Sequence, residues 1–253
     1  MTTPYHLEGK TILITGASSG IGKATAILAA QQGATLFLTG RDAGRLQETL
    51  DLCLAQGDRH GSVTRHRSLA TDLTVIPGID ELVQSLPALD GIVHSAGIVG
   101  PLPVKFISET DIDRMFSINY MAPVNLTGAL LRKKKLQDGA SVVFLSTVAT
   151  KNPYFGGALY SGSKAALEAY SRTLALELVA RGIRSNCIRA GLVDTPMIVN
   201  PSEKNMQEEA LERYLKRYPL GIGKPEEVAA AIVYFLSDAS KWVTGTELVM
   251  GGE

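Results

Sequence analysis

Residues 11–30 read TILITGASSGIGKATAILAA, and the expected fold class follows from this stretch more than from any other. Thr11–Thr15 is a short apolar run typical of a buried strand, and an Ala-rich helical pattern begins at Ile21. The turn between them carries Gly16, Gly20 and Gly22, which permit a tight turn and bring backbone N–H groups close to a ligand. Because a helix N-terminus carries positive potential, this strand–turn–helix favours binding of a pyrophosphate.

The same turn comes close to the P-loop of nucleotide hydrolases, because Gly22 is followed by Lys23. That motif requires Gly at position 17 and Ser or Thr at position 24, whereas this chain has Ala17 and Ala24. The turn therefore predicts dinucleotide binding and not hydrolysis of ATP or GTP. A tight turn without a ligand is the alternative.

Short β-branched runs alternate with helical patterns from one end of the chain to the other. The predicted strands are 11–15, 34–39, 62–69, 89–94, 140–145, 183–188 and 246–250, and the clearest helices are 21–32, 44–56 and 225–236. Nearly continuous apolar strands in such an alternation are typical of a parallel sheet covered on both faces. We expect an α/β protein with one doubly wound domain over residues 1–253, because no break in composition separates two domains.

Composition excludes several classes of function. The 25 Lys and Arg residues balance 25 Asp and Glu residues, so no basic excess indicates a nucleic-acid partner. The two cysteines, Cys53 and Cys187, argue against a disulfide scaffold, a zinc module or an iron–sulfur cluster. No uncharged apolar run reaches about 18 residues and the N-terminus lacks a signal-peptide pattern, so we expect a cytoplasmic protein without a membrane partner.

The end of the second predicted strand bears on the choice of cofactor. Arg41 follows Gly40 and lies 19 residues after Gly22, near the spacing at which ribose specificity is set. An Arg offers a fork of donors to a 2′-phosphate, whereas an acid would accept a hydrogen bond from a 2′-hydroxyl. Arg41 therefore favours NADP over NAD, and we interpret Asp42 as the cap of the following helix.

Tyr160 and Lys164 lie four residues apart in a helical pattern and would share one face of the helix. A phenol with its ordinary pKa near 10 is a poor base at neutral pH. A nearby ammonium group and a cationic nicotinamide both lower that pKa. Tyr160 could then exchange a proton with an alcohol or carbonyl oxygen while the cofactor transfers hydride. An exposed helical pair without chemistry is the alternative.

Together these motifs resemble the short-chain dehydrogenase/reductase family, classical type, over nearly the whole chain. The resemblance rests on motifs in the family's order: 15–22, 71–74, 117–120, Tyr160 with Lys164, 191–195, 244–247 and 251–252. It implies a Rossmann fold with helices on both faces. It also implies cofactor contacts at Gly16, Ser18, Ser19, Gly20, Ile21, Gly22, Arg41, Asp72, Leu73, Ser95, Ala96, Gly97, Tyr160, Lys164, Val193 and Thr195.

The resemblance further implies catalytic roles. Tyr160 would be the general acid/base, Lys164 would also bond the nicotinamide ribose, and Asn119 would hold a water in a proton relay. The family's substrate-fixing serine usually lies 13 residues before the tyrosine, which is Thr147 here. Thr keeps the hydroxyl but stiffens χ1, and we favour Thr147 while Ser146 stays open.

Two further positions depart from the family pattern, because Ser95 stands where the family has Asn and Ala190 where it has Pro. The expected function is an NADP(H)-dependent oxidoreductase that interconverts a small-molecule carbonyl and a secondary alcohol. The resemblance implies a substrate lid at about 192–220 and a homo-oligomer, either tetramer or dimer. A dinucleotide-binding sensor or scaffold with little catalysis stays open, as does a 3-oxoacyl thioester reductase within the enzyme class.

Overall fold

The computed structural model describes residues 4–57, 66–197 and 220–251. These residues form one seven-stranded sheet with all neighbouring strands parallel, in the order β3-β2-β1-β4-β5-β6-β7. The strands are β1 (Thr11–Thr15), β2 (Thr35–Gly40), β3 (Arg67–Ala70), β4 (Leu89–His94), β5 (Leu136–Thr147), β6 (Arg184–Ala190) and β7 (Glu247–Met250). The predicted parallel seven-stranded sheet is therefore confirmed.

Helices cover both faces of this sheet, as the doubly wound prediction requires. They are α1 (Gly20–Gln31), α2 (Ala43–Gly57), α3 (Ile76–Ser85), α4 (Glu109–Phe116), α5 (Ala122–Arg132), α6 (Ala158–Leu178) and α7 (Pro225–Leu236). Apolar side chains of α1, α2 and α7 pack on one face, and those of α3, α5 and α6 pack on the other. In β1, Ile12 and Ile14 point to the first face and Leu13 to the second, which explains its continuous apolar run.

Most predicted boundaries agree with the structure within one or two residues, but two strands differ more. β3 begins at Arg67, and part of the strand predicted from position 62 lies outside the described residues. β5 begins at Leu136 instead of 140, because Leu136 pairs with Leu89 before the register shifts to place Ser141 opposite Gly91. Residues 137–139, between Leu136 and the predicted start at 140, are exposed and polar or Gly, so their sequence does not indicate a strand.

The strand order reverses its direction of growth next to β1, where β4 is its neighbour on the other side from β2. In open parallel sheets, ligands bind in the crevice outside the carboxyl ends of the strands at such a point. The turn after β1 and the segment after β4 therefore lie where a dinucleotide would be expected.

Gly91 provides a test of the packing between β4, β5 and α7. A Cβ at this position would lie 2.9 Å from Leu236 Cδ2 and 3.0 Å from the backbone oxygen of Ser141. We expect Gly91→Ala to lower the free energy of unfolding by about 1–3 kcal/mol, as overpacking of a core does. Urea unfolding measures this difference.

Gly162→Ala is the matched control on α6, because its new Cβ would meet only the Phe116 ring, at 3.9 Å. Replacing Gly by Ala inside a helix should raise the stability by about 0.5–1 kcal/mol. A Gly91→Ala protein as stable as wild type would contradict the close packing of β4.

Candidate functional site

A cleft of about 400 Å³ lies at the carboxyl ends of β1, β2 and β4. It is lined by the four loops that follow β1, β2, β3 and β4, by Ile118 and Ala122, and by the segment after β6. Most of the predicted cofactor residues line it: Gly16, Ser18, Ser19, Gly20, Ile21, Arg41, Asp72, Leu73, Ser95, Ala96, Gly97 and Thr195. The structure thus brings together residues that lie up to 179 positions apart in the chain.

The glycine turn after β1 has no room for side chains. Gly16 and Gly20 have φ of +65° and +51°, the left-handed region that favours glycine. A Cβ at Gly16 would lie 2.7 Å from the backbone N of Ala96, and one at Gly22 would lie 2.3 Å from the oxygen of Gly16. Gly22 therefore supports the turn from beneath, and the turn can approach a phosphate with its backbone.

Thr15 joins this turn to the end of β4. Its Oγ1 accepts hydrogen bonds from the backbone N–H groups of Ser95 and Ala96, at 3.1 and 3.2 Å. The same hydroxyl donates to the carbonyl of Val93 at 3.3 Å. On the other side of the cleft, the Thr195 side chain lies within 3.3 Å of the position that a Cβ of Gly20 would take. The cleft is therefore bounded by backbone and short side chains.

Two arginines stand at the end of the cleft near β2. Arg41 is exposed, and Arg45 in the first turn of α2 lines the cleft beside it. Asp42 Oδ1 accepts a hydrogen bond from the backbone N–H of Arg45 at 3.0 Å, so the predicted helix cap is present. Hydrogen bonds from the Thr74 backbone and side chain, together with the charge of Arg41, hold the pKa of Asp72 below its usual value.

Arg45 is not among the residues predicted from the sequence. It lies four residues after Arg41, and the two side chains would share one face of α2 if the helix began at Arg41. The start of α2 at the Asp42 cap is what places both cations at the cleft.

Gly97 connects the cleft to the predicted catalytic residues. A Cβ at Gly97 would lie 3.2 Å from Asn119 Oδ1 and 3.3 Å from Lys164 Nζ. Both side chains therefore reach the segment that follows β4, next to residues that line the cleft. The cleft and the polar groups of α6 meet at this glycine.

Asn119 lies in a π-helical turn, Ser117–Met121, between α4 and α5. Its side-chain amide accepts from the backbone N–H of Ile98 at 2.8 Å and donates to the carbonyl of the same residue at 2.9 Å. Its Nδ2 also lies 3.1 Å from Ser163 Oγ on α6. Asn119 thus ties the loop after β4 to the helix that carries Tyr160 and Lys164, and π turns of this kind occur often at functional sites.

Lys164 is buried one helical turn after the partly exposed Tyr160. Its Nζ donates to the backbone carbonyl of Leu145 at 2.8 Å. Burial lowers the pKa of Lys164 to about 8, because the charged form loses its hydration. A proton on this amine is therefore held much less tightly than on an exposed lysine.

His94 supports this region from behind and does not face the cleft. Its Nε2 lies 2.9 Å from Thr127 Oγ1, and its ring stacks on Phe144 with 4.8 Å between centroids. Burial and the nearby charge of Lys164 lower the pKa of His94 to about 3, so the imidazole is neutral. It is a packed and hydrogen-bonded histidine.

The two hydroxyls at the end of β5 have different surroundings. Ser146 Oγ donates to the buried carboxylate of Glu168 at 2.5 Å. Thr147 Oγ1 accepts from the backbone N–H of Ala149 at 3.3 Å, and its O–H donates no hydrogen bond to any residue in the described part of the chain. Of these two hydroxyls, the one of Thr147 thus has a proton that no acceptor among the described residues takes, and this proton could be donated to a ligand.

The side chain of Val193 belongs to the apolar core formed with α1 and α7, and its backbone is bridged to Gly223. Thr195, Pro196 and Met197 of the predicted lid line the cleft, but 198–219 lie outside the described residues. Among the residues that the structure describes, no group of three or more His, Cys, Asp or Glu side chains could hold a metal ion. None of the helices described has the length and hydropathy that a bilayer-spanning helix needs.

Comparison with known proteins agrees with this geometry. A family model described as enoyl-(acyl carrier protein) reductase matches residues 16–252. The chain is 37% identical over 251 residues to 3-oxoacyl-[acyl-carrier-protein] reductase FabG of Thermotoga maritima, with 98% of each protein covered. It is 28% identical over 260 residues to (3R)-3-hydroxyacyl-CoA dehydrogenase of Mus musculus, covering 100% of this chain and 98% of that protein.

A solved structure is similar over the same extent. The crystal structure of a dehydrogenase/reductase from Sinorhizobium meliloti 1021 has a TM-score of 0.85 and 31% sequence identity, covering 98% of this chain and 96% of that one. The similarity therefore covers nearly the whole of both chains.

The buried amine of Lys164 predicts a specific dependence of stability on pH. Between pH 8 and its ordinary value of 10.5, the unfolded chain holds the proton and the folded chain does not. At pH 7 the buried charge lowers the free energy of unfolding. This loss is regained as the pH rises through this range, because the folded protein gives up the proton before the unfolded chain does. We expect Lys164→Met to gain most over wild type at pH 7, and its relative gain to shrink at pH 10.

Urea unfolding of both proteins at the two pH values gives this difference, in which titrating groups that do not interact with Lys164 cancel. A difference that is the same at pH 7 and pH 10 would mean that Lys164 titrates as an exposed lysine does.

Proposed function

The chain belongs to the short-chain dehydrogenase/reductase family, and we propose that it interconverts a carbonyl and a secondary alcohol with NADP(H) as cofactor. The observation that carries this proposal is the meeting, at Gly97, of the dinucleotide cleft with Lys164 and Asn119. Membership of a family of oxidoreductases favours catalysis over the sensor or scaffold that the sequence left open.

The residues of the cleft fit a dinucleotide. The glycine turn and the N-terminus of α1 would hold the pyrophosphate, since this turn lines the cleft and leads into the helix. Asp72 and Leu73 would contact the adenine end. Arg41 and Arg45 would bind a 2′-phosphate, because two cations close together favour a doubly charged group over a hydroxyl.

NADPH, when bound, supplies the hydride that adds to the carbonyl carbon. In our proposal the phenol of Tyr160 donates a proton to the carbonyl oxygen, which completes the alcohol. The ammonium group of Lys164 stabilises the phenolate that remains. In the oxidation direction the phenolate accepts the proton of the alcohol.

Thr147 is our choice for the hydroxyl that binds the substrate oxygen. Its proton has no protein acceptor among the described residues, whereas Ser146 donates to Glu168 at 2.5 Å. A hydroxyl already bound to a buried carboxylate would have to give up a charge-assisted hydrogen bond before it could serve the substrate. Asn119, which braces the loop after β4, is the proposed support of the proton relay.

A 3-oxoacyl thioester is the substrate class that we propose first. Both curated relatives described above have names that refer to acyl thioesters, a 3-oxoacyl group in one and a 3-hydroxyacyl group in the other. The two groups differ by the carbonyl-to-alcohol step that Tyr160 and Thr147 would serve.

Three further features belong to the same proposal. We treat residues 1–253 as one cytoplasmic domain with a substrate lid at about 192–220. Leu176 and Val179 are exposed near the end of α6, at 76% and 60% of their surface. Apolar side chains exposed on one helix support a homo-oligomer, a tetramer or a dimer.

Tyr160→Phe and Thr147→Ala test the proposed chemistry on a 3-oxoacyl thioester with NADPH. We expect Tyr160→Phe to lower kcat by about 10² to 10⁴, because a positioned general acid contributes that much. Thr147→Ala should lower kcat by about 10², as loss of one hydrogen bond to a developing oxyanion does. Steady-state kinetics and NADPH titration separate turnover from binding.

Tyr234→Phe on α7 is the control and should leave kcat unchanged. If Tyr160→Phe binds NADPH and turns over like wild type, Tyr160 is not the acid/base. If Ser146→Ala loses more turnover than Thr147→Ala, the two hydroxyls exchange roles.

Arg41→Ala tests the choice of cofactor. We expect the KM for NADPH to rise about 10- to 100-fold, because hydrogen bonds to a charged group are worth about 1.5–3 kcal/mol. The KM for NADH should change little, since NADH lacks the 2′-phosphate. Arg132→Ala, at the end of α5, is the control. Equal changes for the two cofactors would remove Arg41 from the 2′-phosphate site.

A further inference from the structure

Three charged or polar side chains of α6 follow one another along a single face of the helix. Tyr160, Lys164 and Glu168 are spaced four residues apart, and such residues lie one above the other. Lys164 donates to the carbonyl of Leu145 at 2.8 Å, and Glu168 accepts from Ser146 at 2.5 Å. The face of α6 that carries the proposed acid/base thus also binds the last residues of β5 through hydrogen bonds.

Glu168 accepts hydrogen bonds from residues on both sides of Thr147. Its Oε1 accepts from Ser146 Oγ before that residue and lies 2.9 Å from Thr150 Oγ1 after it. Thr150 Oγ1 is also 3.0 Å from the carbonyl oxygen of Thr147. The short turn after β5 is therefore fastened to α6 through one carboxylate, with Thr147 at its centre.

This carboxylate is almost wholly buried, with 3% of the Glu168 surface exposed. Arg189 on β6 balances its charge, with Nε 3.0 Å from Glu168 Oε1. The same Nε lies 3.4 Å from Glu247 on β7, and Arg172 pairs with that second acid. Two acids and two arginines thus form a neutral cluster beneath the end of β5.

A cluster of this kind is a weak source of stability. Removing two charges from water offsets most of their attraction, and apolar residues of similar volume often serve as well. We therefore interpret the cluster as a device that fixes geometry. A hydrogen-bonded ionic group permits one arrangement of its partner side chains, whereas an apolar contact permits several.

We propose that Glu168 is a positioning residue for the carbonyl reduction and sets the Thr147 hydroxyl at a fixed place relative to Tyr160. This inference rests on the proposed function. Glu168 does not touch substrate or cofactor, and it acts by holding Ser146 and Thr150 to the helix that carries Tyr160. One sign of this role is visible in the sequence, namely the spacing of eight residues between Tyr160 and Glu168.

Thr150→Val tests this inference without disturbing the buried ion pair. The change removes one hydroxyl and keeps the shape of the side chain. We expect kcat to fall about tenfold, because small misplacement of a reacting group lowers the rate steeply. The KM for NADPH and the thermal midpoint should stay near those of wild type. Thr150→Ser restores the hydroxyl and should restore kcat to within about twofold.

Thr173→Val on the exposed side of α6 is the matched control, because it makes the same change away from Glu168. Glu168→Gln is the second variant, with exposed Glu177→Gln as its control. It keeps an acceptor oxygen but removes the charge, and it should lower kcat by more than Thr150→Val does. If Glu168→Gln fails to fold, the Thr150 pair still decides.

The outcomes separate the two proposals. A wild-type protein without turnover on carbonyl substrates overturns the proposed function and this inference with it. Wild-type turnover with unchanged kcat in Thr150→Val overturns the inference alone. A fall in kcat that Thr150→Ser does not restore, or one matched by an equal rise in the KM for NADPH, also overturns it, because a general structural defect would behave in that way.

Discussion

The turn after β1 and the segment after β4 touch through their backbones, and the rest of the site depends on this contact. Thr15 accepts hydrogen bonds from the N–H groups of Ser95 and Ala96, while Gly16 leaves no space for a side chain between the two segments. The contact forms because β1 and β4 are neighbours in the sheet. It forms the floor of the cleft, and it carries Gly97 to the place where Asn119 and Lys164 converge. A bulkier residue at Gly16 would separate the phosphate turn from the groups proposed to act on the substrate.

Two of the buried charged side chains that the structure describes share one face of α6. Lys164 and Glu168 are both buried on α6, and each is bound to the end of β5 through hydrogen bonds. The Lys164 amine forms no ion pair with a carboxylate among the described residues, and desolvation lowers its pKa to about 8. The carboxylate has a guanidinium beside it. The lysine therefore holds its proton less tightly than an exposed lysine does, while the carboxylate is held by its ion pair.

Much of the fold and part of the site could be predicted from local patterns. The phosphate turn, the bounds of β4 and α7, and the spacing of Tyr160 and Lys164 depend on neighbouring residues, and they are visible in the chain itself. Arg45 was missed because its position at the cleft depends on where α2 begins. Val193 is expected at the cofactor, and its side chain lies in the apolar core while its backbone is bridged to Gly223. The early start of β5 was missed because Leu136 gains its partner from β4 and not from its own sequence pattern.

By itself, the sequence determined the alternation of strands and helices, the glycine turn that admits a phosphate, and a tyrosine and a lysine one helical turn apart. These features follow from periodicity and from the backbone freedom of glycine, which act over a few residues. Only the tertiary structure decided that Ser146 donates its hydrogen bond to Glu168, while the Thr147 hydroxyl has no acceptor among the described residues. It also decided that Arg189 from another strand balances the charge of the buried acid. Those contacts join residues of β5, β6 and α6, and desolvation and hydrogen-bond geometry at such meeting points are set by packing, which no local pattern specifies.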